Sequence, residues 1–267
     1  MYHGFTNHYS RNAVYIIIAL VLLFCLIICR KKMKKALVYP LFVFFFATIL
    51  LVAKRGPTLA LVISLVIVLV LKEPTIGKKI RKSFKFIAAG LVLFALLYYA
   101  VPGVRNMISR ILVPNETGDV TSSRLYLWGV AWNMFRSKPI LGNGWGSYLL
   151  AMTGSNFQGV HNDYLQYLAE TGLVGFLFFL IRDLGALLLT YRAFKMVTGK
   201  EYDGTDCQYW LTFSMIIQVF VLAYSMTGMP HFAYEQYGLY TILCGYGVGQ
   251  YKALRAARAA QAKTEEL

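Results

Sequence analysis

Seven apolar runs, each near the length a helix needs to cross roughly 30 Å of hydrocarbon, constrain this chain more than any other feature. They are Ala13–Cys29, Ala36–Ala53, Thr58–Leu71 with its flanks, Phe86–Val101, Leu173–Thr190, Trp210–Met226 and Phe232–Gln250. Hydrocarbon offers no water to backbone N–H and C=O groups, so a spanning segment must satisfy its own, as a helix does. Composition agrees, because 58% of the 267 residues are hydrophobic and only 15% are charged, which is not the balance of a soluble domain. The expected fold is all-α: a polytopic membrane helix bundle of about seven transmembrane helices. It forms a single membrane domain over residues 1–267, with one large external loop over residues 103–171 that contains short interfacial helices.

A net charge of +15 raises nucleic acid as a partner, but the distribution of the cations argues for topology and against nucleic acid. Eighteen of the 27 Lys and Arg residues fall in four stretches, Arg30–Lys35, Lys72–Lys85, Arg192–Lys200 and Lys252–Lys263. The positive-inside rule makes those stretches cytoplasmic and puts the amino terminus and the long loop outside. The basic cluster at Arg30 follows the first apolar run instead of preceding it, so that run reads as a retained helix and not a signal peptide. Cys25, Cys29, Cys207 and Cys244 lie in or beside apolar runs, which predicts free thiols and no disulfide framework.

Polar chemistry concentrates at the external side. Lys54-Arg55-Gly56-Pro57 occupies a tight turn between two apolar runs, with Gly56 and Pro57 suited to the turn. Its cations either snorkel to the interface or face a site. Ser122-Ser123 is placed to cap a helix beginning at Arg124, and Leu125, Trp128, Trp132 and Phe135 recur on one face of it. That face suits headgroup depth, where Arg124 meets lipid phosphate or a dedicated anion. Pro139 ends the helix, and Gly142-Asn143-Gly144-Trp145-Gly146 follows without the strand that a nucleotide-binding loop needs. These small residues allow a tight turn or close approach of a sugar, and Trp145 is either a stacking platform or a membrane anchor.

His161 opens the string His161–Gly172 just before an apolar run. Asp163 and Gln166 have capping-box spacing, which predicts a short helix behind His161. A neutral imidazole there accepts a proton at ambient pH, unless it serves only as a cap. Arg182 and Asp183 fall inside an apolar run and read as structural, paired with each other's neighbours, in preference to a proton relay. His231 and Glu235, near the last external turn, are secondary candidates or else an interfacial polar rim.

Arg55-Gly56 after a membrane helix, Ser123-Arg124 followed by Trp128, Pro139-Ile140-Leu141-Gly142-Asn143-Gly144-Trp145-Gly146 and the His161–Gly172 string together resemble the O-antigen ligase and O-antigen polymerase superfamily. The similarity is strongest over Thr121–Phe178 and extends more weakly to Gly4-Phe5-Thr6-Asn7. The resemblance implies a glycosyltransferase of the bacterial inner membrane. It would move a glycan from a polyprenyl-diphosphate carrier to an acceptor hydroxyl at the outer face, with inversion and with no metal or other cofactor. By that likeness Arg55 and Arg124 hold the diphosphate, with Lys54 as an added cation where relatives carry a small residue. His161 activates the acceptor, Asp163 or a backbone carbonyl sets its tautomer, and Trp145 and Tyr164 contact glycan or lipid. The implied partners are the lipid-linked donor, a glycan or lipid-linked acceptor, membrane lipid and other envelope polysaccharide assembly proteins. Relatives have more membrane helices, so an amino-terminally shortened member, inactive alone or completed by a partner, is the alternative. A multi-pass transporter is a further one, but the polarity gathers on one face and no internal repeat is evident.

Overall fold

The computed structural model of the protein describes residues 9–32, 34–52, 54–73, 75–100, 102, 105, 123–152 and 159–265. Most of the first part of the expected external loop, and the Gly4–Asn7 string, lie outside the described residues. Among the described residues every regular element is a helix and there is no strand. The helices are α1 (Tyr9–Ile28), α2 (Lys35–Val52), α3 (Arg55–Lys72), α4 (Ile76–Ala100), α5 (Arg124–Ser137), α6 (Ser147–Ala151), α7 (Asp163–Met196), α8 (Asp206–Tyr224) and α9 (Tyr234–Glu265). Two single 3-10 turns, Lys200–Tyr202 and Pro230–Phe232, flank α8.

Five of these helices, α1, α2, α3, α7 and α8, are long and apolar enough to cross a membrane. The expectation of about seven spans is therefore met in part. In α4 only Ile87–Ala100 is continuously apolar, because its first turns carry Lys78, Lys79, Arg81, Lys82 and Lys85. In α9 the expected span is diluted by Glu235, Gln236, Gln250 and four glycines from Gly238 to Gly249.

Helix α8 is the axis of the bundle. Its Phe213, Ile216 and Phe220 pack with Ile17, Leu20 and Phe24 of α1 and with Leu61, Leu65 and Val68 of α3. Polar side chains in this interior bond to one another: Gln218 Nε2 donates to Thr190 Oγ1 at 2.9 Å, and Ser214 Oγ donates to the Leu243 carbonyl at 2.8 Å. Between membrane helices such bonds act where apolar contact brings no gain over lipid. All four cysteines are free, as expected.

One end of the bundle is basic and self-paired. Arg30 meets Asp203 at 3.3 Å and Lys31 pairs with Asp206. Lys72 donates to the Ile28 carbonyl at 2.8 Å, and Lys195 to the Leu71 carbonyl at 3.3 Å. Because α3 runs from Arg55 to Lys72, the turn at Lys54 and Arg55 lies at the opposite end.

The decisive local feature is a break in α7. Gly172 has φ 63 and ψ −167, far from helical values. Asp163 and Asp183 are twenty residues apart, which along an unbroken helix is about 30 Å, yet both carboxylates reach the imidazole of His231. The chain therefore folds back at Gly172. The short arm lies on the long one through Tyr167 stacked on Phe179 at 4.2 Å and Tyr164 edge-on to Phe179 at 5.8 Å.

Candidate active site

The turn between α2 and α3 is built for close approach. Lys54 caps α3 from an extended backbone (φ −98, ψ 104), and Pro57 stands in the first turn, where a missing N–H costs nothing. A Cβ on Gly56 would lie 2.6 Å from Thr227 Oγ1, so only glycine lets this turn seat against the end of α8. Lys54 is half-buried, and Arg55 on the next position is exposed. Burial first, and then the nearby charge of Arg124, hold the Lys54 ammonium below its ordinary pKa. Two cations from distant stretches of sequence thus share one locality.

Arg124 is the first residue of α5, as expected. Ser123 takes the capping position but has a left-handed backbone (φ 61) and makes no side-chain cap bond, so the expected serine cap is not formed. The buried face of α5 is Leu127 and Ala131, packed with Tyr148, Met152, Val160 and Ala169. Leu125 and Trp132 remain exposed on the apolar face read from the sequence. Trp128 Nε1 donates to the Val160 carbonyl at 3.1 Å. That bond ties α5, one turn beyond Arg124, to the residue before His161.

His161 is partly exposed and has φ 54, a left-handed conformation that favours glycine. Such a backbone persists only where its surroundings over-determine it. The surroundings are visible on both sides: Val160 is held by Trp128, and the Asp163 N–H donates to the Ser225 carbonyl at 2.9 Å. The helix behind His161 begins as expected, but Asn162 is its cap, accepting from Leu165 N at 3.1 Å. The capping box read from Asp163 and Gln166 is out by one residue. Asp163 is instead fully buried, with Oδ2 2.8 Å from Ser225 Oγ and 2.7 Å from His231 Nδ1. Its expected partnership with His161 is replaced by one with His231, because the helix turn directs the side chain inward.

Trp145 and Tyr164, expected to contact glycan or lipid, differ in availability. Trp145 is 65% exposed and stacks on Phe232 at 5.1 Å. Tyr164 donates its hydroxyl to the Leu222 carbonyl at 2.7 Å and packs against Phe176 and Phe179, so it links the short arm of α7 to α8.

The glycine-rich turn supports the break in α7. Leu173 N donates to the Pro139 carbonyl at 2.8 Å, Val174 N to the Ile140 carbonyl at 3.2 Å, and Gly144 N to the Glu170 carbonyl at 2.9 Å. Asn143 Nδ2 bridges the Met134 and Ala169 carbonyls at 2.7 and 3.0 Å. These bonds satisfy the backbone groups that a broken helix leaves open. The expected tight turn forms, and what approaches it closely is the backbone of Gly172.

His231, a secondary candidate by sequence, is more central than its position near a turn suggests. It is no part of a polar rim: its ring is fully buried between Asp163 and Asp183. Glu235 does meet the rim reading, pairing with Arg11 at 3.5 Å while both stay half exposed. Arg182 and Asp183, expected to pair with each other's neighbours, pair directly with each other at 2.7 Å. Only the fold-back of α7 could have announced His231, and no sequence spacing records it.

Fold and site together define a multi-pass helical membrane protein whose polar end gathers Lys54, Arg124 and the His161 segment around the turn after α8. A sequence model of the O-antigen ligase family matches residues 40–180, more than half of the chain, and the chain belongs to that family. Its members are ligase-type enzymes of glycan transfer. No curated protein matches the chain.

Proposed function

We propose that the protein transfers a glycan from a polyprenyl-diphosphate carrier to an acceptor hydroxyl at the outer face of a bacterial inner membrane, as a polymerase or a ligase. The observation that carries this reading is the shared locality of Lys54 and Arg124, together with a left-handed His161 that is braced from both flanks. Neighbouring cations repel unless an anion joins them, and a diphosphate is such an anion. Arginine binds phosphate oxygens as a fork and keeps its charge, and Arg55 follows Lys54 on the same turn.

In the proposed step His161 takes the proton of the acceptor hydroxyl. The oxygen attacks the anomeric carbon from the face opposite the diphosphate, and the bond from that carbon to the phosphate oxygen breaks. The leaving diphosphate keeps the electron pair, and Lys54, Arg55 and Arg124 stabilise the charge it gains more than they stabilise the ester. The anomeric configuration inverts.

The test is transfer in proteoliposomes from a polyprenyl-diphosphate-linked oligosaccharide, with EDTA present. His161→Ala is expected to lower turnover by about 10²–10⁴-fold, the usual contribution of a general base. Arg124→Ala is expected to weaken use of the donor by about 10–100-fold, from the loss of a charged hydrogen bond of about 1.5–3 kcal/mol. Full activity in both variants would overturn the assignment.

A further inference from the structure

We propose that His231 is a positioning residue for this reaction: an imidazolium clamped between Asp163 and Asp183 that holds the start of α7, and His161 with it, against the end of α8. Loss of that proton releases the clamp and stops transfer. The role of His161 in this statement rests on the function proposed above, whereas the clamp itself stands on geometry alone.

The geometry favours the charged ring. Nδ1 lies 2.7 Å from Asp163 Oδ2 in a hydrogen bond, and Nε2 lies 3.0 Å from Asp183 Oδ2 in ion-pair contact. A neutral imidazole has one N–H, so one of its nitrogens would turn a lone pair toward a carboxylate oxygen. An imidazolium carries an N–H and positive charge on both sides. Arg182 Nε meets Asp183 Oδ1 at 2.7 Å, and Arg182 Nη1 donates to Tyr237 Oη at 2.8 Å. Two buried carboxylates are thus matched by two cations, and the four charges cancel. Buried charges in such a set are tolerable only when all are present.

The groups facing the ring come from each packed element. The short arm of α7 supplies Asp163 and Tyr167, the long arm supplies Asp183, Arg182 and Phe179, and α9 supplies Tyr237 and Tyr240, with Cys244 behind Tyr240. The turn after α8 supplies Ser225, whose hydroxyl reaches both Asp163 and His231. Phe179 and Tyr240 stand edge-on to the imidazole at 5.1 and 5.2 Å.

The link to His161 is short. Asp163 is bonded through its side chain to His231 and through its N–H to the Ser225 carbonyl, and His161 stands two residues before it with the strained backbone already described. Burial alone would lower the pKa of His231, but the two carboxylates outweigh it and hold it above the ordinary value. The sign follows: the clamp is complete below the ordinary histidine pKa of about 6.5 and is lost as pH rises through the raised value of the folded state.

The experiment is histidine-selective ¹⁵N NMR of the full chain in nanodiscs, without donor or acceptor, with resonances assigned by His161→Gln and His231→Gln. His231 is expected to be doubly protonated at pH 7, and the His161 signal to shift with the same midpoint as His231 on raising the pH. Asp183→Asn should move that midpoint down by about 1–3 pH units, the effect of removing a close opposite charge, and Arg182→Gln should move it up. The alkaline limb of the transfer profile should follow in both variants. A neutral His231 at pH 7, a His161 signal indifferent to it, or midpoints unmoved by both variants would each overturn the proposal. A coupled titration in a chain that transfers no glycan would leave the clamp standing and remove the function proposed above.

Discussion

Replacing Gly172 by alanine tests the fold-back that brings the site together. A Cβ at Gly172 would stand 2.6 Å from the Gly142 N and 2.5 Å from the Ile140 carbonyl carbon, and one at Gly142 would stand 2.5 Å from the Gly172 N. The backbones must separate by about half an ångström or more to reach even a tight carbon contact, which is an overpacking cost of about 1–3 kcal/mol. The left-handed φ of 63 adds about 1–2 kcal/mol for a residue with a Cβ. Gly172→Ala is therefore expected to destabilise the fold by about 2–5 kcal/mol, lowering the melting temperature by roughly 4–20 °C on the scale of chains this size. Gly142→Ala should cost a similar amount, since its φ is 74. The double variant should cost less than the sum by about 0.5–3 kcal/mol, because one separation relieves both clashes. Gly129→Ala is the control: it lies in α5 with nothing within 4 Å of its Cβ position, and should stabilise by about 0.5–1 kcal/mol. The assay is thermal unfolding in detergent by intrinsic fluorescence, with transfer measured in parallel. A Gly172→Ala chain as stable as its parent, or strict additivity with Gly142→Ala, would refute the backbone contact.

Two further outcomes are expected. Lys54→Arg should retain donor use at alkaline pH where the unaltered chain loses it, since the Lys54 pKa is lowered and its charge fades below the ordinary lysine range of about 10.4 while arginine stays charged; parallel alkaline limbs in donor KM would count against a diphosphate contact at Lys54. Trp128→Phe should cost about 0.5–1.5 kcal/mol of stability through the lost Nε1 bond to Val160, with a larger relative fall in kcat than in donor KM; an unchanged kcat would separate α5 from the placement of His161.

The class of this protein was written in its apolar runs, because hydrocarbon leaves a backbone few ways to satisfy itself and the helical one is local in sequence. The same locality made Arg124 at the head of α5 and a helix behind His161 legible in advance, since caps, prolines and periodicity act over a few residues. The count of spans was less secure for the same reason: lysines at the head of α4 and glycines with polar residues in α9 weaken runs that looked sufficient. Asp163 shows where local reasoning stops. Its spacing to Gln166 suggested a capping box, but the helix start is capped by Asn162 and the carboxylate serves His231, sixty-eight residues away. That partnership exists because α7 folds back at Gly172 against the turn of Pro139–Gly144. The sequence alone determined the helices and the kinds of side chain available for anion and proton chemistry. Which of them come together, Lys54 near Arg124 and His231 between Asp163 and Asp183, was decided by tertiary structure, because charges separated along a chain interact only where packing brings them close.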